Sequence, residues 1–534
     1  MQDQVATMEM KRSLGSVGLM FTAIAGMMGS AWLFGPYYAA KMSGPASLIA
    51  WIVGGIAMMI IAMTLAELVC MFPVSGGNAR FMHFSHGTLA SFIFSWLMWL
   101  GYAAVAPVET MGVLQYLASV FPQLTMVKSG VTVLTTPGYG VAALVLLVMC
   151  VLNFLSVKWV SYYNSIIVWF KMLVPLIVVI VLAVTLFQVH NFTHFGGFMP
   201  EGWTSIASTL SLGGVIFAFA GYAPAIVLAG EAKNPQKTVP LVLIGALAIC
   251  LLIYILLELV FIGAVNPHDL AFGWTHLHFP HDASPFVGIG QQLGLHYLSI
   301  LIFITAILAP LGTAFIFIAT SSRVAFAMSQ NGYFPHVMMH LNKRGVPFMA
   351  VILNFIVGLL LFFPEPGWQG MVGFLVSAFV LCYVIGPVSL LALRSELPNY
   401  KRTFRLPWAP VWSYVAFVVA NLIIYWTGWH IFSKMLIAIV IGFVVLACMR
   451  LSPRGRQRGA PIDWKQGSWA IVYLIAMGLV SYLGDYGGGL AIIPRGPDMI
   501  VIALFSLVIL WWAWASRLAA TQVEQHLGAL LHKQ

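Results

Sequence analysis

From about residue 14 to residue 517 the chain is a succession of apolar runs, each long enough to cross the ~30 Å hydrocarbon core of a membrane as a helix. They begin near residues 14, 45, 87, 138, 160, 204, 239, 288, 347, 369, 408, 432, 467 and 498, which predicts fourteen spanning helices. In lipid every backbone polar group must find its partner within the protein, so a span of this length is a helix. Only 7% of the residues are charged and 61% are hydrophobic, with a mean hydropathy of +0.95, whereas a soluble globule carries about 25% charged residues. The expected class is an all-α polytopic membrane protein.

Positive residues in short loops stay on the cytoplasmic side, so the positions of Lys and Arg orient the helices. With the N-terminus inside, twenty of the twenty-five basic residues fall in the cytoplasm, from Lys11 and Arg12 through Lys158, Arg323 and Arg394 to Arg517 and Lys533. Lys41, Lys128, Lys434 and Arg495 fall outside, and Lys171 lies within a span. The net charge of +10 is then a topology signal, and a nucleic-acid partner would need a basic face on a soluble domain, which the sequence lacks. The basic cluster from Arg450 to Lys465 fits a positive-inside loop, with contact to anionic lipid as the alternative. Cys70, Cys150, Cys250, Cys382 and Cys448 lie in spans without paired spacing and read as small core hydrophobes. No cleavable signal peptide is visible, and the first span itself should direct insertion. The expected location is the plasma membrane, the inner membrane in a Gram-negative bacterium, with both termini cytoplasmic.

Two of the runs, the first and the sixth, are broken near their middle, at Gly26-Met27-Met28-Gly29-Ser30 and at Phe219-Ala220-Gly221-Tyr222-Ala223-Pro224. Glycine is entropically costly in a helix and proline removes an amide, so non-helical backbone at this depth survives only beside a cavity or buried protein. Breaks at corresponding places in two halves of a chain mark a transporter whose substrate sits on opened helices. Five is an odd number, so a second group of five helices enters the membrane from the opposite side and the two breaks face each other. The expected organisation is a cytoplasmic N-terminus (1–12), a first five-helix repeat (13–200), a second (201–395), four additional helices (396–517) and a cytoplasmic tail (518–534). The four additional helices would serve packing, lipid contact or oligomerisation.

Ionisable groups within spans cost about 2.5–3.5 kcal/mol even on a mild scale, so each is a functional candidate. Lys171 lies far enough beyond the basic boundary at Lys158, at ~1.5 Å per residue, to approach the midplane. A lysine there can gain and lose a proton where an arginine cannot, which suits proton coupling; the alternative is an ammonium held permanently charged by carbonyls or a carboxylate. Glu109 follows Pro107 in the third run and is a candidate for contact with substrate or for holding a proton, with a structural hydrogen bond as the equal alternative. Glu258 is expected near the outer interface with water in reach. Glu67 and Glu231 read as anchors at cytoplasmic helix ends. An outside loop near residues 265–287 carries His268, His276, His278, His281 and Asp282 without a fixed metal-ligand spacing, and Asn191-Phe192-Thr193 matches a glycosylation sequon.

An enzyme is disfavoured, because no haem-binding histidine pair, Ser/His/Asp set, metal set or phosphate-cradling loop is present, and no cofactor is implied. A channel would favour repeated pore-lining rings over two singular breaks.

At these same residues the chain resembles the amino acid-polyamine-organocation superfamily of permeases. A first-run pattern of the form Gly-x-x-Gly-Ser-Gly appears as Gly26 to Ala31, followed by Trp32-Leu33-Phe34-Gly35-Pro36. The sixth-run pattern appears as Phe217-Ala218-Phe219-Ala220-Gly221-Tyr222, ending in Glu231-Ala232-Lys233-Asn234-Pro235. Glu67-Leu68 with Pro73-Val74-Ser75-Gly76-Gly77, Asn153 with Val157-Lys158, and Ser322-Arg323 with Gly332-Tyr333-Phe334-Pro335 match at further places. The resemblance covers about residues 10–450 and implies the leucine-transporter-like fold with its 5+5 inverted repeat, and alternating access. It implies that the amides of Ser30 and Ala31 hold a substrate carboxylate and that carbonyls of Met28, Phe217 and Ala220 hold the amino group, with Gly26, Gly29, Gly221 and Tyr222 shaping the site. It also implies that Lys171 is the fifth-helix lysine whose ammonium stands in for a sodium ion. Two positions depart from the pattern: Ala31 replaces a third glycine, and Ala223 stands where many members carry an acidic residue. The expected function is proton-coupled amino acid uptake, with acidic amino acids suggested, against two rivals, an amino acid exchanger and a channel or non-transporting receptor.

Overall fold

The apolar runs form helices of unequal length, and where they are interrupted decides where a small molecule can meet backbone. The computed structural model describes residues 15–73, 76–128, 131–154, 157–279, 285–363, 367–451 and 461–531. Lys11 and Arg12, Val74 and Ser75, His281 and Asp282, the stretch from Arg454 to Arg458, Lys533 and the side chains of Lys158 and Glu231 lie outside the described residues.

The first run is two short helices, α1 (Ser16–Met27) and α2 (Ala31–Ser43), separated by Met28-Gly29-Ser30. A single 3-10 turn, Gly44–Ala46, carries α2 into α3 (Ser47–Met71). Next come α4 (Asn78–Leu117), α5 (Thr136–Asn153) and α6 (Val157–Thr185). Between α4 and α5 lies a two-stranded antiparallel hairpin, Thr125–Lys128 with Val131–Leu134, an element that the apolar pattern did not announce.

The sixth run is broken twice. α7 (Trp203–Leu212) bends by 45° at Gly213-Gly214 before α8 (Val215–Ala220), and Gly221-Tyr222 separates α8 from α9 (Ala223–Val227). Gly214 has a φ of 86°, a left-handed conformation that glycine adopts without strain. The chain continues through α10 (Pro235–Ala264), α11 (Pro285–Gln292), α12 (His296–Gln330), α13 (Phe348–Leu360), and α14 (Gly367–Tyr383) with α15 (Ile385–Glu396), which together make one span. Last come α16 (Ala409–Trp426), α17 (Trp429–Leu451), α18 (Trp464–Leu483), α19 (Pro497–Ala515) and the tail helix α20 (Ala520–Leu531).

Among the described residues eleven helices are long and apolar enough to cross a membrane, or twelve with the bent sixth run counted as one. The count of fourteen is therefore not reached on length and apolarity. The shortfall lies where helices are cut: α1 has 12 residues and α13 has 13, each below the ~20 that a straight span needs. α4 forms the centre, with its whole apolar length buried, while α5, α6, α17 and α19 leave most of theirs on the outer surface.

α4 starts nine residues earlier than its apolar run suggested and kinks at Gly87, which has a φ of 71°. The Thr88 amide freed there donates to Asp463 at 2.8 Å, so a buried backbone donor at the kink is satisfied from the loop before α18. Glu67 is the anchor expected of it. Both of its oxygens accept from Arg394, at 2.8 and 2.6 Å, Arg402 lies 3.2 Å away, and the Leu406 amide donates at 2.8 Å. Glu67→Ala leaves two arginines and an amide without their acceptor and is expected to cost about 3 kcal/mol of stability, read as a lower melting temperature of the purified protein.

Three expectations are corrected. Glu258 is fully buried and has no water in reach: its carboxylate accepts from the Ser47 hydroxyl and from Trp51 Nε1, the latter at 2.9 Å, because α3 packs along α10 over this stretch. Asn191 is buried, and its Nδ2 donates to the carbonyls of Ile262 and Val265 at 2.8 Å each, so the sequon nitrogen is not presented for modification. Cys448 is exposed on the outer face of α17, unlike the other four cysteines.

Candidate functional site

The two breaks meet backbone to backbone. A methyl group added at Gly26 would lie 2.2 Å from the Gly221 carbonyl oxygen, and one added at Gly221 would lie 2.2 Å from the Gly26 carbonyl oxygen. Glycine is required at both positions for this approach, which brings the end of α1 against the gap between α8 and α9. The break residues of the first and sixth runs are thus one locus.

Each broken end leaves orphan backbone groups, and side chains from five other helices supply partners. The Ala25 carbonyl, in the last turn of α1, accepts from Lys171 Nζ of α6 at 2.7 Å and from the Thr313 hydroxyl of α12 at 2.8 Å. Lys171 also donates to Thr313 Oγ1 at 2.7 Å, so ammonium, hydroxyl and carbonyl close a triangle. A cation at a helix C-terminus is favourably placed, since the unpaired carbonyls carry partial negative charge. The Met27 carbonyl accepts from the Tyr254 hydroxyl of α10 at 2.8 Å, and the Ala220 carbonyl accepts from the Tyr383 hydroxyl of α14. The Tyr222 ring stacks on Tyr383 with centroids 4.9 Å apart, and the Tyr222 hydroxyl is buried without a hydrogen-bond partner.

At the other broken end, the N-terminus of α2, the Ser30 amide donates to Glu109 Oε2 at 2.6 Å. Gly29 makes room for this carboxylate, since a methyl there would lie 2.2 Å from Glu109 Oε1. Gly112, one turn further along α4, lets that helix come close: a methyl there would lie 2.8 Å from the Ser30 Cβ. The Ser30 hydroxyl accepts from Trp368 Nε1 at 2.7 Å. Trp368 in turn stacks on Tyr38 at 5.5 Å and meets Phe34 at 5.1 Å and Phe217 at 5.9 Å, so an aromatic group roofs the break. Beyond that roof is a cavity of about 60 Å³ lined by Tyr38, Lys41, Gln115, Thr132, Trp368 and Gln369.

The structure brings together Gly26, Met28, Gly29, Ser30 and Ala31 with Ala220, Gly221 and Tyr222, with Phe217 at the roof and Lys171 and Glu109 at opposite ends of the break. The Ala220 carbonyl holds Tyr383 and the Ser30 amide holds Glu109. Lys171 and Glu109 are completely or almost completely buried and face each other electrostatically. Two ionisable side chains so deeply buried are costly to the fold, which points to a task other than holding it together.

Sequence reasoning missed Thr313, Tyr254, Tyr383 and Trp368. Each is a polar-tipped residue within an apolar helix with nothing nearby to mark it. The second bend did have a signal, the Gly213-Gly214 dipeptide. Among the described residues no group of three His, Cys, Asp or Glu side chains is placed to hold a metal ion.

The family model described as "Amino acid permease" matches residues 14–446. Among curated proteins, the glutamate/serine transporter AimA of Bacillus subtilis is 35% identical over 515 residues, covering 95% of this chain and 94% of that protein. The aspartate-proton symporter of the same organism is 33% identical over 504 residues, covering 94% and 96%. The branched-chain amino acid permease BcaP, also from B. subtilis, is 27% identical over 453 residues, covering 82% and 92%. A family match over most of the chain and two relatives above 30% identity along nearly their full length leave one assignment: this multi-pass membrane protein belongs to the amino acid permease family, whose members are transporters and not enzymes.

Proposed function

We propose that this protein is a secondary transporter that moves an amino acid into the cell together with a proton, by alternating access at the paired breaks. The observation that carries the reading is Lys171, a buried ammonium held by the Ala25 carbonyl of the broken helix and the Thr313 hydroxyl. Its charged form ties α1 to α6 and α12, and loss of its proton releases α1, so the position of the broken helix follows the protonation state. Names of two relatives, a glutamate/serine transporter and an aspartate-proton symporter, support acidic amino acids as substrates. The Ser30 and Ala31 amides at the N-terminus of α2 receive the substrate carboxylate, and carbonyls of Met28, Phe217 and Ala220 receive its ammonium. The protein sits in the plasma membrane, with lipid around its outer helices and both termini cytoplasmic, as the positive loops require.

The reading is tested by uptake into proteoliposomes. An inward proton gradient is expected to drive saturable accumulation of L-aspartate or L-glutamate, and L-serine competes. If no gradient drives accumulation, the reading fails; counterflow that ignores pH would make the protein an exchanger. Trp368→Phe keeps an aromatic roof but removes the donor to the Ser30 hydroxyl, one hydrogen bond worth about 1 kcal/mol, so the KM for amino acid is expected to rise roughly fivefold in the same assay.

A further inference from the structure

Glu109 occupies the place that the reading above gives to the substrate carboxylate. Its Oε2 accepts from the Ser30 amide at 2.6 Å, its carboxylate lies against Gly29, and Gly112 on its own helix lets α4 approach Ser30 closely enough for that bond. The chemistry of the two groups is the same: a planar anion with two acceptor oxygens, seated at a helix N-terminus where amides point outward. One amide hydrogen cannot serve both at full strength. Two carboxylates forced together in a dry site do not both stay ionised, and the one that loses the amide takes up a proton.

We propose that the Glu109 carboxylate is a built-in stand-in for the substrate carboxylate, displaced from the Ser30 amide when an amino acid binds and protonated in the same step. The inference rests on the substrate placement proposed above. The groups that face Glu109 are Lys171 from α6, the Tyr254 phenol from α10, the neutral Ser30 from the break and, beside Lys171, the Thr313 hydroxyl of α12. Lys171 is the cation of this set, and at the Ser30 amide it faces one ionised carboxylate throughout. Before binding it faces one carboxylate, that of Glu109; after binding it faces one carboxylate, that of the amino acid, with the proton on Glu109 taken from water on the loading side and returned on the releasing side. Glu109 thus adds to Lys171 a proton-binding event tied to substrate binding itself rather than to movement of α1.

The wild-type protein in weakly buffered detergent solution with a pH indicator is the direct test. L-aspartate and L-serine share the α-carboxylate, so each is expected to draw about one proton from solution per molecule bound, and the Kd of each is expected to rise by up to ~tenfold per pH unit above neutrality. Glu109→Gln offers a weaker, untitratable acceptor to the Ser30 amide. This variant is expected to bind both amino acids at least tenfold more tightly at pH 8, with no proton uptake and a Kd indifferent to pH. Damage to the site would weaken binding, so the gain in affinity distinguishes displacement from a structural role. Wild-type binding without proton uptake, or proton uptake undiminished in Glu109→Gln, overturns the inference. If wild-type liposomes still accumulate amino acid on a proton gradient in that event, the transport reading stands and only the role of Glu109 falls. If no gradient drives accumulation, the transport reading itself falls.

Discussion

Gly26→Ala is expected to abolish uptake, and Gly221→Ala to do the same. The added methyl at Gly26 meets the Gly221 carbonyl oxygen at 2.2 Å and its carbon at 3.3 Å; the methyl at Gly221 meets the Gly26 carbonyl oxygen at 2.2 Å and the Met27 amide nitrogen at 2.5 Å. These opponents are backbone atoms, which cannot rotate aside as a side chain would, so the two breaks must move apart by more than an ångström. Overpacking of this kind costs about 1–3 kcal/mol, enough to lower the melting temperature and too little to unfold most domains. Function fails because the shift carries Ala25 away from Lys171 and Ser30 away from Glu109, so both ends of the cradle lose their geometry together. Gly140→Ala on α5, where a methyl meets open space, is the control and is expected to leave uptake unchanged. Uptake, expression level and thermal melting measured on the three variants check the argument; normal transport by Gly26→Ala would contradict it.

Lys171→Ala is expected to eliminate proton-driven uptake, a loss of at least a hundredfold, with no compensating change in substrate preference. The variant removes the ammonium from the Ala25 carbonyl and from Thr313, and it leaves Glu109 as a buried carboxylate with no cation facing it. Removing the cation that faces a buried carboxylate and the donor to the Ala25 carbonyl is destabilising, so the variant is also expected to melt early. Combining Lys171→Met with Glu109→Gln removes both charges at once, which restores much of the melting temperature and none of the uptake. Lys171→Arg retains charge but is too large and too firmly protonated for the triangle with Thr313, and it too is expected to lose proton coupling. Accumulation at the wild-type level by Lys171→Ala would refute the role assigned to this residue.

What the sequence made legible follows from what lipid forbids. Glycine, proline and ionisable residues stand out in a membrane helix because each is costly there, so the breaks at Gly26–Ser30 and Gly221-Tyr222, and Lys171 and Glu109, were visible one residue at a time. Partnerships were not. The Ser30 amide and Glu109 are 79 positions apart, and nothing in either segment announces that α4 would lay its carboxylate on the break. Glu258 was misplaced for the same reason, since its partners Ser47 and Trp51 come from a helix more than two hundred positions earlier. Trp368 and Tyr383 escaped notice because an aromatic residue in an apolar run looks like packing until its polar tip is seen against a carbonyl or hydroxyl. The count of fourteen is not confirmed, because the first half of the broken first run and the short α13 fall below the length that identifies a span.

The central claim, that amino acid and proton cross together, is tested most directly by following both in one proteoliposome preparation with a pH dye trapped inside. With no pH difference imposed and potassium plus valinomycin clamping the voltage, adding L-aspartate outside is expected to acidify the lumen in step with its entry, and Lys171→Ala to show neither signal. Entry of aspartate with lumenal pH unchanged would contradict the account.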